Sequence, residues 1–348
     1  MKKQRRFTIL LIFVLAVALN LVGCDSGSSG TDAEPTVYTA GSYINGSISV
    51  PCYWTGTTRT PLAGDGTHDA VANSIFVSSG SVYAAGYYND GSKNIPCYWA
   101  GNVLTPLAGD GTHTSEAYSI FVSGDTVYTA GYYFDATKVV PCYWTGTTKT
   151  PLAGDGTHDA VGTSIFVSSG IVYTAGYYND GSKDIPCYWI NSTRIPLAGD
   201  GSHSAHTLSI FLTEGKVYTA GYFKDATKMI PCYWTGTSRT DLAGDGTHNS
   251  SAASIFVSDD TVYTAGSYND GLKNIPCYWT DTSMTPLAGD GAHFATATSI
   301  FVADGTVYTS GYYNDGSKYI PCYWTGTERT DLPRFSSYNA VANSIFVE

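Results

Sequence analysis

Basic residues are scarce in this chain of 348 residues: Lys and Arg number 18 against 29 Asp and Glu, and charged residues together make up 14%. A protein that grips nucleic acid shows a basic stripe. None is present, so nucleic acid is excluded as a partner, and electrostatic attraction to anionic lipid with it. There are eight cysteines, but no CxxC pair of the kind that zinc sites use. The apolar run Phe7 to Leu21 is too short and wrongly flanked for a settled transmembrane helix. What the chain has in quantity is Gly (38) and Tyr (28). Aromatic and β-branched residues suit strands and Gly suits tight turns, which points to an all-β protein. The composition is too apolar for a disordered chain.

One pattern fills most of the length. Pro-Cys-Tyr-Trp ends at Trp54, Trp99, Trp144, Trp189, Trp234, Trp279 and Trp324, a constant step of 45 residues. Ser-Ile-Phe runs start at Ser74 and recur with the same step to Ser344. Each unit reads as four short strands. In the unit from Ser74 these are Ser74–Val77, Val82–Tyr88, Ile95–Trp99 and a run around Leu104–Leu107, with turn residues between them. A period in this range with four strands per unit indicates a β-propeller with one blade per repeat. Both faces of Val82-Tyr-Ala-Ala-Gly-Tyr are apolar, aromatic or very small, as expected of a blade sandwiched between two others. The Ala-Gly pair is expected to admit a Trp or Tyr of the neighbouring blade.

The phase of the ends predicts how the ring closes. The repeat region opens on a second strand, Val37-Tyr-Thr-Ala-Gly, and finishes on an inner strand from Ser344. The last strand should therefore complete the first blade and remove an exposed edge. The expectation is an all-β, seven-bladed propeller of four-stranded blades over residues 36–348.

Residues 1–35 read differently. Lys2, Lys3, Arg5 and Arg6 precede the apolar run, which ends in Leu21-Val-Gly-Cys24 and passes into Asp25-Ser-Gly-Ser-Ser-Gly-Thr-Asp. This resembles the lipobox of bacterial lipoproteins. The resemblance implies a signal peptide over 1–23, Cys24 as the lipidated first residue and a flexible tether over 24–35. Removing 1–23 takes the four basic residues with it and moves the net charge from −11 to −15. More than one acyl chain gives stable anchoring where a single one is marginal.

The repeat itself resembles a propeller repeat of bacterial envelope lipoproteins and exported proteins, of the form SIFVxxxxVYxAGYxxxGxxxxxxYWxxG. It is a relative in shape of WD40 and kelch propellers, although the WD dipeptide and the kelch Gly-Gly pair are absent. The resemblance implies architecture and no particular chemistry.

Few residues offer chemistry. The seven repeat cysteines, from Cys52 to Cys322, hold one position per blade. Equivalent atoms of neighbouring blades lie on the order of 10 Å or more apart, beyond the ~4.4–6.8 Å Cα separation of a disulfide. Buried free thiols are the expectation, against disulfides or a metal. Gly-Asp-Gly-Thr-His loops end at His68, His113, His158 and His248, with variants at His203 and His293. Each supplies one acid, with a second only at Asp69 and Asp159, where a calcium loop wants several. No fixed nucleophile accompanies the His as catalytic base. By resemblance to WD40 blades, His113, Thr129, Trp144 and Asp135 stand where a structural hydrogen-bond network would run. In the seventh repeat the loop becomes Pro333-Arg-Phe-Ser-Ser-Tyr. Arg334, Phe335 and Tyr338 bring an Arg among two aromatics, the composition of an interface hot spot. A second loop carries Asp and Lys in six repeats, from Asp90 and Lys93 to Asp315 and Lys318, and shares the rim with the His loops.

The reading is a lipid-anchored, non-enzymatic binding or scaffold protein of the bacterial cell envelope, held in a membrane through Cys24 and needing no cofactor. An envelope protein or a glycan is the expected partner. The alternatives are a multivalent lectin-like propeller and a propeller hydrolase or lyase. If the lipobox is used, Cys24→Ser abolishes incorporation of an alkyne-labelled palmitate, read by gel fluorescence. Label that persists in the variant contradicts it.

Overall fold

The computed structural model describes residues 34–335 and 338–348. The expected signal peptide, Cys24 and nearly all of the expected tether lie outside the described residues. From Val37 the chain is laid down as strands joined by tight turns and loops, 28 strands among the described residues. They form seven antiparallel four-stranded sheets.

The second blade shows the pattern: Ala70–Ser78 inside, then Ser81–Asn89, Asn94–Ala100 and the short outer strand Val103–Pro106. Side chains inside and between blades are apolar on both faces, which is why the strands do not alternate cleanly. Blade one is built from both ends of the repeat region. Ala340–Val347 pairs antiparallel with Val37–Asn45, and Thr36 and Glu348 exchange two backbone hydrogen bonds beyond it. The fold is a seven-bladed β-propeller closed by its last strand.

The inner strand is longer than the Ser-Ile-Phe run suggests. It begins four residues earlier, at Ala70, because a bulge at residue 73 lets pairing resume upstream. The same shift recurs in every blade. The bulge also explains the Gly of the second strand. A Cβ on Gly86 would lie 1.9 Å from the carbonyl oxygen of Val71, in the inner strand of its own blade. The six equivalent glycines meet the same oxygen at 1.9–2.0 Å. Of the Ala-Gly pair, the Ala packs as expected in one cluster with the next blade's Trp, as Ala85 does with Trp144, whereas what crowds the Gly is the bulged inner strand beside it, with Trp189 of the same blade adding to it at Gly176.

Three sets of contacts join blade to blade all the way round. Each Ser of Ser-Ile-Phe accepts a hydrogen bond from the Ile amide of the next blade, at 3.1–3.3 Å, with Ser344 to Ile75 closing the circle. Phe76, Phe121, Phe166, Phe211, Phe256, Phe301 and Phe346 form a closed collar with centroids 4.6–5.3 Å apart. Such tilted aromatic pairs add about 0.5–1.5 kcal/mol each beyond their burial. Farther out, every repeat Trp is fully buried and donates from Nε1 to a carbonyl of the preceding blade's exit loop, at 2.7–3.0 Å. A buried indole N–H needs such a partner, or it loses its solvation without return.

The seven cysteines are free and wholly buried, and burial pushes each thiol well above its ordinary range.

Deleting residues 340–348 removes the inner strand of blade one, Phe346 from the collar and Ser344 from the circle of hydrogen bonds. The melting temperature should fall by on the order of 10 °C or more, followed by tryptophan fluorescence. A truncated protein that melts with the intact one contradicts closure by this strand.

Candidate functional site

The loops that enter the inner strands and those that join second to third strands emerge on one face. Backbone bonds tie them together, as from the Asn89 amide to the Asp69 carbonyl. In the first of these loops Asp65 organises the turn. Its Oδ1 accepts from the amides of Thr67 and His68, each at 2.8 Å, and its Oδ2 meets His68 Nδ1 at 2.5 Å. The imidazole then rests beside the second loop, where a Cβ on Gly91 would lie 3.0 Å from His68 Nε2. Five further loops repeat the Asp–His pair. In the second loop Asp90 caps the amides of Ser92 and Lys93, and Lys93 Nζ lies 3.1 Å from its Oδ2.

This arrangement differs from the network expected around His113. The structure does not join His113, Thr129, Trp144 and Asp135 by hydrogen bonds. His113 Nδ1 takes Asp110 Oδ2 at 2.5 Å, and Asp135 caps Thr137 and Lys138 in its own loop. Trp144 reaches back to the Ala108 carbonyl at 3.0 Å. The hydroxyl of Thr129 is buried without a hydrogen-bond partner, as are those of five equivalent threonines, and blade two has Ala84 there. An acid three residues before the His is the nearer partner, so the loop satisfies itself.

The six loops make a uniform rim of capped acids. The seventh breaks it. Pro333 still accepts from Trp54 Nε1 at 3.0 Å, and the Tyr338 amide meets the Phe335 carbonyl at 3.4 Å. Its chemistry is different. Phe335 takes the place of the capping Asp and Tyr338 that of the His, and both are exposed, at 38% and 40%. Phe335 packs on Tyr43 of blade one with centroids 5.8 Å apart. The Arg59 guanidinium lies 4.0 Å over the Tyr43 ring and 5.7 Å from the Phe335 ring. Arg334 lines a cleft of about 710 Å³ with Thr57, Tyr313, Asp315 and Asp331 at the junction of blades seven and one. On its wall Tyr313 donates to Asp331 Oδ2 at 2.9 Å, and Arg329 Nε donates to Asp331 Oδ1 at 2.9 Å. Burial first, then the bond to Asp331, raises the Tyr313 hydroxyl to about 12. The structure therefore brings Phe335 against Tyr43 and Arg59, the blade-one copy of a pair that recurs around the ring, while Arg334 faces the cleft beside it.

Other aromatic faces repeat around the ring but are covered. Lys149 sits 3.5 Å over Tyr133, Arg194 3.8 Å over Tyr178, Arg239 3.7 Å over Phe223 and Arg329 4.0 Å over Tyr313. In the two remaining blades, partly buried Leu104 and Met284 stand at the same position. Among the described residues no group of three or more His, Cys, Asp or Glu is placed to hold a metal ion. A further set of side chains lies on the extra half of the inner strand, including Glu116 and His206. The only sign of them in the sequence is that these positions differ from repeat to repeat.

The chain matches no family model, and no curated protein matches it. Among solved structures it is similar to the β-propeller domain of the Trilobed protease from Pyrococcus furiosus, described as having an open velcro topology. The TM-score is 0.54 at 9% identity, over 87% of this chain and 95% of that one. That likeness is one of fold. Fainter similarities reach a Trypanosoma rangeli sialidase (TM-score 0.42, 10% identity, 84% of this chain and 55% of that) and a fucose lectin from Kordia zhangzhouensis (TM-score 0.27, 17% identity, 36% of this chain and 96% of that). Neither carries an argument about chemistry.

The loop acids set an acid limit. At Asp200 partial burial opposes ionisation, but the bonds from the His203 ring and from the His203 and Ser202 amides prevail and hold the carboxyl at about 2; Asp290 behaves alike. An unfolded Asp titrates near ~3.9. A depressed carboxyl stabilises the fold fully above the unfolded value and ceases to as pH falls through the folded one. The melting temperature should be level from about pH 7 to 5 and fall between about pH 4 and 2, with a smaller fall in Asp200→Asn. A melting temperature that holds or rises below pH 4 in calorimetry contradicts this.

Proposed function

We propose that the protein is a lipid-anchored, non-enzymatic binding module of a bacterial cell envelope, tethered through Cys24, that takes one protein partner at the junction of blades seven and one. The observation that carries this reading is the break in an otherwise uniform rim. Six loops present capped acids, and the seventh presents Arg334, Phe335 and Tyr338 beside an open cleft. Loops held by a rigid scaffold are the usual place for binding, and Tyr and Arg are enriched among the few residues that carry most interface energy. With Phe335 and Tyr338 exposed and Arg334 sharing its cleft with Asp315 and Asp331, the patch suits a partner with an apolar surface edged by polar groups of both signs.

The covered aromatic faces weigh against several equivalent sugar sites. A multivalent lectin needs such faces open, and Arg or Lys occupies five of them. For the enzyme alternative, the loop His rings meet their own loop acids through Nδ1, and the Thr hydroxyl 2.8–3.0 Å from that nitrogen in four of the loops lies 2.9–3.0 Å from the same acid, a self-contained turn repeated around the rim rather than one asymmetric cleft.

Replacing Arg334, Phe335 and Tyr338 with Ala should weaken a partner captured from envelope extract at least tenfold, about 1.4 kcal/mol, at one partner per chain. The variant should keep the parent melting temperature. Unaltered single-site affinity in the triple variant removes the patch from consideration.

A further inference from the structure

Five large apolar side chains are exposed among the described residues, and three of them fall on one side of the loop face. Phe335 and Tyr338 are two of these. The third is Leu272, 91% exposed, in the second loop of blade six, where the other six blades carry Ser or Thr. Val103 and Ile171, the remaining two, sit in separate blades at the hairpin end. Between Leu272 and the seam lies another departure. The residue leading into an inner strand accepts a bond from an amide at the start of the preceding blade's third strand. Asp69, Thr114, Asp159, Ser204, Asn249 and Asn339 all do so, at 2.6–3.4 Å. Phe294 replaces that acceptor in blade seven and forfeits the bond. Its ring packs instead on Tyr319 and Tyr312, with centroids 5.4 and 6.5 Å away. These places are contiguous. Lys273 Nζ donates to the Gly291 carbonyl at 2.6 Å, which ties the loop of Leu272 to that of exposed Ala292 and half-buried Phe294. The Tyr319 amide donates to Asn339 Oδ1 at 2.9 Å, which ties blade seven to the residue after Tyr338. An apolar arc therefore runs over blades six, seven and one, and contiguous apolar surface of this kind marks a contact site.

We propose that this arc joins two copies of the chain, loop face to loop face about a two-fold axis, with Leu272, Phe294, Tyr319, Phe335 and Tyr338 at the contact. The inference rests on the seam being a partner site and names the partner. Charge selects the occupant. Chains of net charge −11 repel one another, which keeps such proteins apart unless a locally balanced surface is found. Each loop of this face is counted with the strand residue at either end. In the nine loops outside the arc, thirteen acids then stand against five bases. In the five loops of the arc, four acids meet three bases, Lys273, Lys318 and Arg334. The arc is thus where a second copy meets the least repulsion, whereas a basic partner would be drawn to the rest of the rim. A two-fold contact is also self-complementary, so the bases of one copy can stand opposite Asp315 and Asp331 of the other.

The test is sedimentation velocity of the full-length protein from about 1 to 100 μM, a range that covers weak specific contacts. A concentration-dependent monomer–dimer equilibrium is expected. The variants restore residues that other repeats carry, which protects the fold. Leu272→Ser combined with Phe294→Asn should weaken the dimer at least tenfold in a protein that still melts cooperatively, since Asn249 and Asn339 already serve at the second position. Val103→Thr removes an exposed apolar side chain outside the arc and should leave the dimer as it is. A parent that stays monomeric throughout, a dimer unchanged in the double variant, a dimer weakened equally by Val103→Thr, or a monomer that binds phosphatidylcholine vesicles through Leu272 would each overturn the inference. It fails separately from the partner reading: a monomeric parent whose partner from envelope extract is lost in the Arg334, Phe335 and Tyr338 triple variant overturns the dimer and leaves the seam as a partner site.

Discussion

A one-residue bulge in each inner strand is the constraint on which the ring depends. It brings a carbonyl so close to the second strand that only Gly fits opposite, at seven places. Just past it the Ser hydroxyl accepts the amide of the next blade. The bulged residue itself helps where it is able: Asn73 and Asn343 donate to the next blade's carbonyl, and Thr163 and Thr298 do the same. Tyr118, Leu208 and Ala253 stand at the same position without that bond. The Ser bond is therefore the general one and the bulged side chain an addition to it. Net hydrogen-bond contributions near 1 kcal/mol each are modest, but a circle of seven leaves no end at which opening is easy.

The architecture was legible because the period is strict and each strand type carries its own signature. Trp, Cys and Gly repeat because geometry allows little else, and their register is what was expected. The upstream half of the inner strand was not legible, because its residues vary and a bulge separates them from Ser-Ile-Phe. Reading a strand from a repeated pattern misses a strand whose pattern is not repeated. The hydrogen-bond network around His113 failed for another reason. A resemblance in shape carries over positions, whereas the partner of a side chain is whichever group lies nearest, here Asp110. Arg334, Phe335 and Tyr338 stood out only as a departure from six similar loops. That Tyr43 and Arg59 meet Phe335 follows from closure and cannot be read along the chain.

What repeats and what departs from the repeat sit at different positions in this molecule. What recurs in every blade seals the ring: buried Trp, tight Gly, the Phe collar. What recurs in six loops shapes the rim. The departures fall at the seam between blades seven and one, on the upstream half of the inner strand and in exposed turns. A repeat protein can thus change what it recognises without altering what holds it together, because the two sets of positions overlap little.

The strand that completes blade one has a consequence in time. During synthesis the first three strands are made early, and their inner edge must wait until residues 340–347 follow. Six other inner strands, cut to nearly the same pattern, pass that open edge before the right one arrives, and so does any neighbouring nascent chain. An unpaired edge is where strands join wrongly. Each of those six is captured first by the second strand that follows it at once through a two-residue turn, and speed of local pairing is what keeps the edge vacant for its proper occupant.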